Sequence, residues 1–72
     1  MKTFYQIDGV NEEFRTLQAA KHHVYIAYTD EERIKYLSGT SITKICNEEA
    51  VTMTPINIDR FGNYSFGRTV KL

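Results

Sequence analysis

The feature that most limits the fold of this chain is the change in composition that follows Gly39. Beyond that glycine the sequence is rich in Thr, Ile, Val, Phe and Tyr, which favour strands, and in Asn, and it contains the only proline, Pro55. Three strands fit this half of the chain: 41–47, 50–58 and 63–71. Because the intervening segments are too short for a crossover connection, the three strands must form an antiparallel meander.

The first residues also favour a strand, over 3–7, which ends at the turn-forming pair Asp8-Gly9. The segment 10–15 has two interpretations. It could be a short return strand, which we prefer, or Asn11 could cap a helix that begins at Glu12.

Two consecutive helices are predicted between these strand regions. Thr16 is a candidate cap for a helix over 17–28, whose apolar residues recur at the helical spacing and should face the sheet. The segment 29–32, Thr-Asp-Glu-Glu, matches a capping box and starts a short second helix that ends at Gly39.

These elements predict an α+β fold in the order β-β-α-α-β-β-β. We expect an antiparallel sheet of four or five strands, with both helices packed on one face. Side chains alternate between the two faces of a strand, and in the last strand we assign the core-facing side to Tyr64, Phe66 and Val70. We interpret residues 1–72 as a single domain and as a complete small protein, since recognisable elements run along the whole sequence.

Composition excludes several classes of protein. Cys46 is the only cysteine, so an internal disulfide cannot form, and the first eight residues contain no apolar run typical of a signal peptide. A cytoplasmic location without membrane attachment is therefore predicted. Nine basic and nine acidic side chains give a formal net charge of zero, which provides no overall attraction for a polyanion.

Neither a metal site nor a catalytic centre is predicted. His22 and His23 are adjacent, and neighbours on a helix point about 100° apart, so the two rings cannot readily bind one ion. Cys46 lies in an apolar strand and is interpreted as a core residue without an activating partner. We therefore expect a protein that is not an enzyme and has no cofactor.

The first helix carries apolar or aromatic residues around most of its circumference, which indicates that it needs a second cover. Either the short second helix folds back over it, which we prefer, or another protein covers it. Because the apolar edge of the second helix is narrow, part of the first helix is expected to stay exposed. The residues that fall away from its sheet-facing side are Ala19, His22, His23 and Ile26. Together with an unpaired sheet edge, they form our candidate protein-interaction surface. The function predicted from the sequence is that of a small binding or accessory protein with a protein partner or a second copy of itself.

A nucleic-acid-binding module is the alternative. Basic and aromatic residues interleave over 60–71 with no acidic residue among them, a pattern typical of strands that bind nucleic acids. The candidate contacts are Arg60, Phe61, Arg68 and Lys71, and Phe61 is expected to be exposed at a loop tip. Exposure of Tyr64 and Phe66 would favour this alternative.

Overall fold

The computed structural model describes residues 2–72, which form a five-stranded antiparallel sheet and two consecutive short helices. The elements in chain order are β1 (Thr3–Ile7), α1 (Leu17–Ile26), α2 (Asp30–Glu32), a π-helical turn (Arg33–Leu37) that continues α2, β2 (Ser41–Cys46), β3 (Glu49–Ile58), β4 (Tyr64–Phe66) and β5 (Val70–Lys71). The sheet order is β1-β2-β3-β4, and β5 also pairs with β3. The predicted α+β class is confirmed.

The segment 10–15 is neither the preferred return strand nor a helix. The Val10 N–H donates to the Ile7 carbonyl and closes the first turn, and a single antiparallel bridge then joins Phe14 to Tyr5. Between these two contacts the three polar residues at 11–13 are exposed and do not alternate with apolar ones. A continuous ladder with β1 therefore does not form, and the observed order is β-α-α-β-β-β-β.

Side-chain caps define where both helices begin. Thr16 accepts a hydrogen bond from the Ala19 N–H, and Thr29 and Glu32 form the predicted capping box. The helix α1 ends at Ile26, two residues earlier than predicted. The π-helical turn that follows α2 is succeeded by Gly39, whose φ of +75° is the left-handed conformation that stops a helix.

The core lies between the helices and one face of the sheet. Ile7 and Ile42 are directly opposite each other on β1 and β2, and Ile56 continues this face on β3. These three isoleucines are buried together with residues from both helical segments: Ala20, Val24 and Leu37. Both helical segments therefore contribute to a core on the same side of the sheet.

The last strand is interrupted, which corrects the predicted phase of Val70. Phe66 is opposite Ile56, whereas Val70 is opposite Met53, so the pairing shifts by one residue between β4 and β5. A shift of one residue moves every later side chain to the other face. Val70 consequently lies on the face away from the core and is 43% exposed, while Tyr64 and Phe66 face inward.

Candidate protein-binding groove

An open groove of about 260 Å³ lies between one flank of α1 and the edge strand β4. It is lined by four residues of the helix and two of the strand: Gln18, Lys21, His22, Tyr25, Tyr64 and Phe66. We refer to it as the α1–β4 groove. It brings three aromatic side chains together with Lys21 and His22.

The helical wall of the groove follows directly from the sequence. The four lining residues of α1 are at positions i, i+3, i+4 and i+7 counted from Gln18, a spacing that places them on one flank of a helix. This flank is next to the side on which Ala20 and Val24 enter the core. Packing of that core side therefore turns the flank towards β4.

Three aromatic rings form a row along the groove. The ring centroids of Tyr25 and Tyr64 are 6.1 Å apart, and those of Tyr64 and Phe66 are 5.7 Å apart. The Lys21 Nζ lies 5.0 Å from the Phe66 ring, a cation–π distance. The two strand rings pack against the core but are only half-buried, so each presents part of its surface to the groove.

The base of the groove is held by Arg33, which is 7% exposed. Its Nε donates to the carbonyl of Val24 at 2.9 Å, and Nη2 donates to that of Tyr25 at 2.7 Å. Its Nη1 contacts the Asp30 carboxylate at 2.7 Å and the Gly62 carbonyl at 3.2 Å. One guanidinium thus ties the end of α1, the start of α2 and the β3–β4 loop together.

The same guanidinium supports the strand wall of the groove, since its Cζ lies 5.2 Å from the centroid of the Tyr64 ring. The close approach of the loop requires a glycine at position 62. Its φ is +86°, and a Cβ there would lie 2.4 Å from the Cβ of Asp30. The sequence interpretation missed both residues, because their role depends on contacts between elements that are distant in the chain.

The outer edge of β4 is unpaired. Backbone hydrogen bonds between Asp59 and Asn63 and between Gly67 and Pro55 bracket the strand. Because hydrogen-bonded and non-hydrogen-bonded pairs alternate in an antiparallel ladder, the N–H and C=O groups of the first and last residues of β4 point away from β3. Within residues 2–72, no other backbone group pairs with them.

The predicted protein-interaction residues do not all lie on one surface. Ala19, His22 and Ile26 are exposed, and His22 lines the groove. His23 is on the opposite flank of α1 and is half-buried. Its ring centroid is 5.0 Å from that of Phe14, and its Nδ1 is 3.4 Å from a carboxylate oxygen of Glu12.

The predicted nucleic-acid contacts lie in two separate places. Arg60 and Phe61 are at the tip of the β3–β4 loop, where Phe61 is 65% exposed, as expected. Arg68 follows β4, and Lys71 lies on β5 opposite Thr52. From Thr52 to the loop end of β3 is about 20 Å at the usual rise per residue of a strand. The structure therefore does not bring these four residues together.

Cys46 and the other possible metal ligands do not form a second site in the residues described. Cys46 was predicted to be a core residue, but it is only half-buried, and its Sγ lies 3.5 Å from the Thr3 hydroxyl. Among the residues described, no three His, Cys, Asp or Glu side chains are grouped so that they could hold a metal ion. No helix between residues 2 and 72 is long and apolar enough to span a bilayer.

Comparisons with protein-family models, with curated proteins and with solved structures found no match. The function is therefore inferred from the geometry of the chain itself. Of the features described above, the α1–β4 groove combines an open surface, aromatic rings and a free backbone edge.

Proposed function

We propose that this chain is a small non-enzymatic binding protein that acts through protein contacts in the α1–β4 groove. The observation that carries the proposal is the row of rings formed by Tyr25, Tyr64 and Phe66, which borders open space on an edge of the sheet. Aromatic side chains are enriched in protein interfaces because they provide a large contact area at low entropic cost.

The size and surroundings of the groove support a protein ligand. At about 260 Å³ and widely open, it is smaller than the clefts that enclose most small molecules, which range from about 300 to 1,000 Å³. Exposed apolar residues extend the surface beyond it. One of them is Ile26, which follows Tyr25 in α1. Another is Phe61, which precedes Gly62. Because Arg33 donates to the carbonyls of both Tyr25 and Gly62, Ile26 and Phe61 lie at the same end of the molecule.

A cytoplasmic location is part of the proposal. Its support is the single cysteine, because small secreted domains commonly rely on disulfides and this chain cannot form one internally.

Site-specific photo-crosslinking in the source cells tests the proposal. A benzophenone amino acid would replace either Tyr25, which is 56% exposed in the groove, or Tyr36, which is 55% exposed outside it. We expect covalent protein adducts from position 25 that are absent from position 36. An adduct of twice the mass of the chain would identify a second copy as the partner. Equal adducts from both positions would contradict the proposal.

Single-stranded nucleic acid is the second candidate ligand. The half-exposed rings of Tyr64 and Phe66, with Lys21 over the latter, resemble a surface on which bases could stack. Fluorescence anisotropy with a labelled oligonucleotide of twelve thymidines would test it. If the protein contacts phosphates, its affinity for the oligonucleotide should fall on the order of tenfold or more between 50 and 200 mM salt. The affinity of an apolar protein interface would change little over the same range of salt.

A further inference from the structure

We propose that the groove receives an extended, acidic segment of a partner protein, which adds to the sheet as a strand beside β4. This inference rests on the proposed function and specifies its ligand. Three observations carry it: the unpaired backbone of β4, the orientation of the side chains around it, and the distribution of charge along it.

The backbone of β4 is suited to strand addition. Its first and last residues direct N–H and C=O groups outward, and these are the groups with which an incoming antiparallel or parallel strand would form a ladder. A polypeptide supplies donors and acceptors at the matching spacing. A nucleic-acid backbone supplies phosphate oxygens but not alternating N–H and C=O groups, so the edge favours a protein ligand.

The side chains of an added strand would alternate between the two faces of the sheet. Those on the inner face would continue the row of Tyr64 and Phe66 and would meet the flank of α1. There they would contact Tyr25, His22 and the positively charged Lys21. An apolar residue beside the rings and an acidic residue beside Lys21 would therefore both be accommodated.

The charges around β4 favour an acidic ligand. None of the six lining residues is acidic, and basic residues lie on both sides of the strand, with Arg60 before it and Arg68 after it. The Asp30 carboxylate is already paired with Arg33 at 2.7 Å. The Asp59 carboxylate, at the turn before β4, accepts hydrogen bonds from the backbone N–H groups of Phe61 and Asn63. An added segment with carboxylates would find cations in the groove and at either end of β4.

A second copy of this chain matches the site less well. If two β4 strands paired edge to edge, each would offer the other chain's groove Tyr64, Ser65 and Phe66. That set contains no carboxylate for Lys21. The charge of the groove thus favours a different protein with an acidic segment.

The inference can be tested with three designed nonapeptides. In each peptide Thr occupies every second position, so that all Thr side chains would lie on one face of the added strand. The positions between them carry Val and Glu in turn in the first peptide, Val and Gln in the second, and Val and Lys in the third. Amide chemical shifts of the ¹⁵N-labelled protein would be followed during each titration. We expect the Glu peptide to shift the amide resonances of Tyr64 and Phe66 and to bind about fivefold more tightly than the Gln peptide. The Lys peptide should bind more weakly than both.

Two variants test the role of charge. Lys21→Glu should abolish the preference for the Glu peptide or reverse it towards the Lys peptide. Lys35→Glu makes the same change at an exposed position outside the groove, and it should leave the preference unchanged. Circular dichroism of both variants would verify that each is folded before the titrations are compared.

The possible results separate this inference from the function on which it rests. If all three peptides shift the β4 resonances with equal affinity, the acidic preference is overturned while protein binding in the groove stands. If no peptide shifts them and the crosslinks from position 25 are also absent, both fail. If the twelve-thymidine oligonucleotide shifts the groove resonances and the peptides do not, the ligand is a nucleic acid and the inference is wrong.

Discussion

The two flanks of α1 differ in how far the rest of the chain covers them, although the adjacent residues His22 and His23 lie on different flanks. His23 faces a flank that the chain itself covers, with its ring centroid 5.0 Å from Phe14 and 5.6 Å from Tyr28. His22, one position earlier, faces the open α1–β4 groove. Since successive residues of a helix point about 100° apart, one helix can present a closed flank and an open one.

The closed flank is completed by the segment that precedes the helix. Phe14 is fixed there by its backbone bridge to Tyr5, and Glu12 of the same segment reaches the His23 ring. Desolvation raises the pKa of the neighbouring Tyr28 hydroxyl above 10.0, and the carboxylates of Glu12 and Glu32 add to this effect. This flank is therefore enclosed enough to affect the ionisation of a side chain.

Within residues 2–72 the open flank has no equivalent covering segment, yet its walls are held in place. Arg33 anchors the end of α1 to the β3–β4 loop and stacks beneath Tyr64. An open but anchored surface is what a binding groove requires, because a preformed site avoids the entropic cost of ordering its walls. Exposure on this side is therefore compatible with a defined structure.

The largest expected effect comes from removing this anchor. Arg33→Met keeps much of the side-chain volume but leaves the buried carbonyls of Val24 and Gly62 without their donor. We expect the free energy of unfolding to fall by about 3 kcal/mol, because unsatisfied buried polar groups are costly. Urea denaturation followed by circular dichroism would measure the change.

Lys35→Met is the matched control for the anchor, since it removes an exposed positive charge from the same π-helical turn. It should change stability by less than about 0.5 kcal/mol. Equal losses in the two variants would show that the anchor does not stabilise the open flank.

Much of the architecture could be predicted because its signals are local. The capping box at Thr29 and the turn at Asp8-Gly9 each occupy a few consecutive residues and needed no knowledge of distant contacts. The sequence indicates a bulge or bend at Pro55, but it does not give the register shift after Phe66. The shift depends on the pairing of β4 and β5 with β3, where Pro55 lacks a backbone N–H for the ladder.

The groove could be predicted only in part. His22 belongs to the predicted surface, whereas Lys21 and Tyr25 do not. The i, i+3, i+4, i+7 spacing from Gln18 was the available signal for this flank. No pattern in the sequence indicates that Arg33 would bond to three carbonyls, since this arrangement exists only after the helices and the loop have packed.

The closed flank should lose stability when its cover is removed. Phe14→Ala deletes a half-buried ring that packs against the core and His23, and we expect a loss of about 2 kcal/mol, less than for a fully buried phenylalanine. Phe61→Ala makes the same change at the exposed loop tip and should cost less than about 0.5 kcal/mol. Thermal and urea unfolding would measure both, and a larger loss for Phe61→Ala would reverse our assignment of the closed flank.

The adjacent histidines allow a smaller and more direct comparison. His23→Gln removes two aromatic contacts at a half-buried position and should cost about 1 kcal/mol, whereas His22→Gln loses one, to Tyr25, at an exposed position and should cost less than about 0.5 kcal/mol. Both substitutions keep a polar side chain within the same helix. Similar losses in the two variants, measured by urea denaturation at pH 8, would mean that the two flanks are equally packed.

The smallest expected effect is a local response to acid at the loop beside the open flank. Desolvation by itself would raise the pKa of Asp59, but hydrogen bonds from Asn63, Phe61 and Gly62 together outweigh it and lower the pKa below 3.8. A lowered pKa in the folded state stabilises the loop above pH 3.8, and this contribution is lost as the pH falls through the folded-state value.

Hydrogen exchange would detect this response. On acidification below pH 3.8, the protection factors of the Phe61 and Asn63 amides should fall before that of the Phe14 amide, which pairs with β1 on the closed side. In Asp59→Asn the carboxylate no longer titrates, so the loop amides should lose their pH dependence relative to Phe14. If the loop and Phe14 amides lose protection together in the original protein, acid unfolds the whole domain, and the loop beside the groove has no local opening of its own.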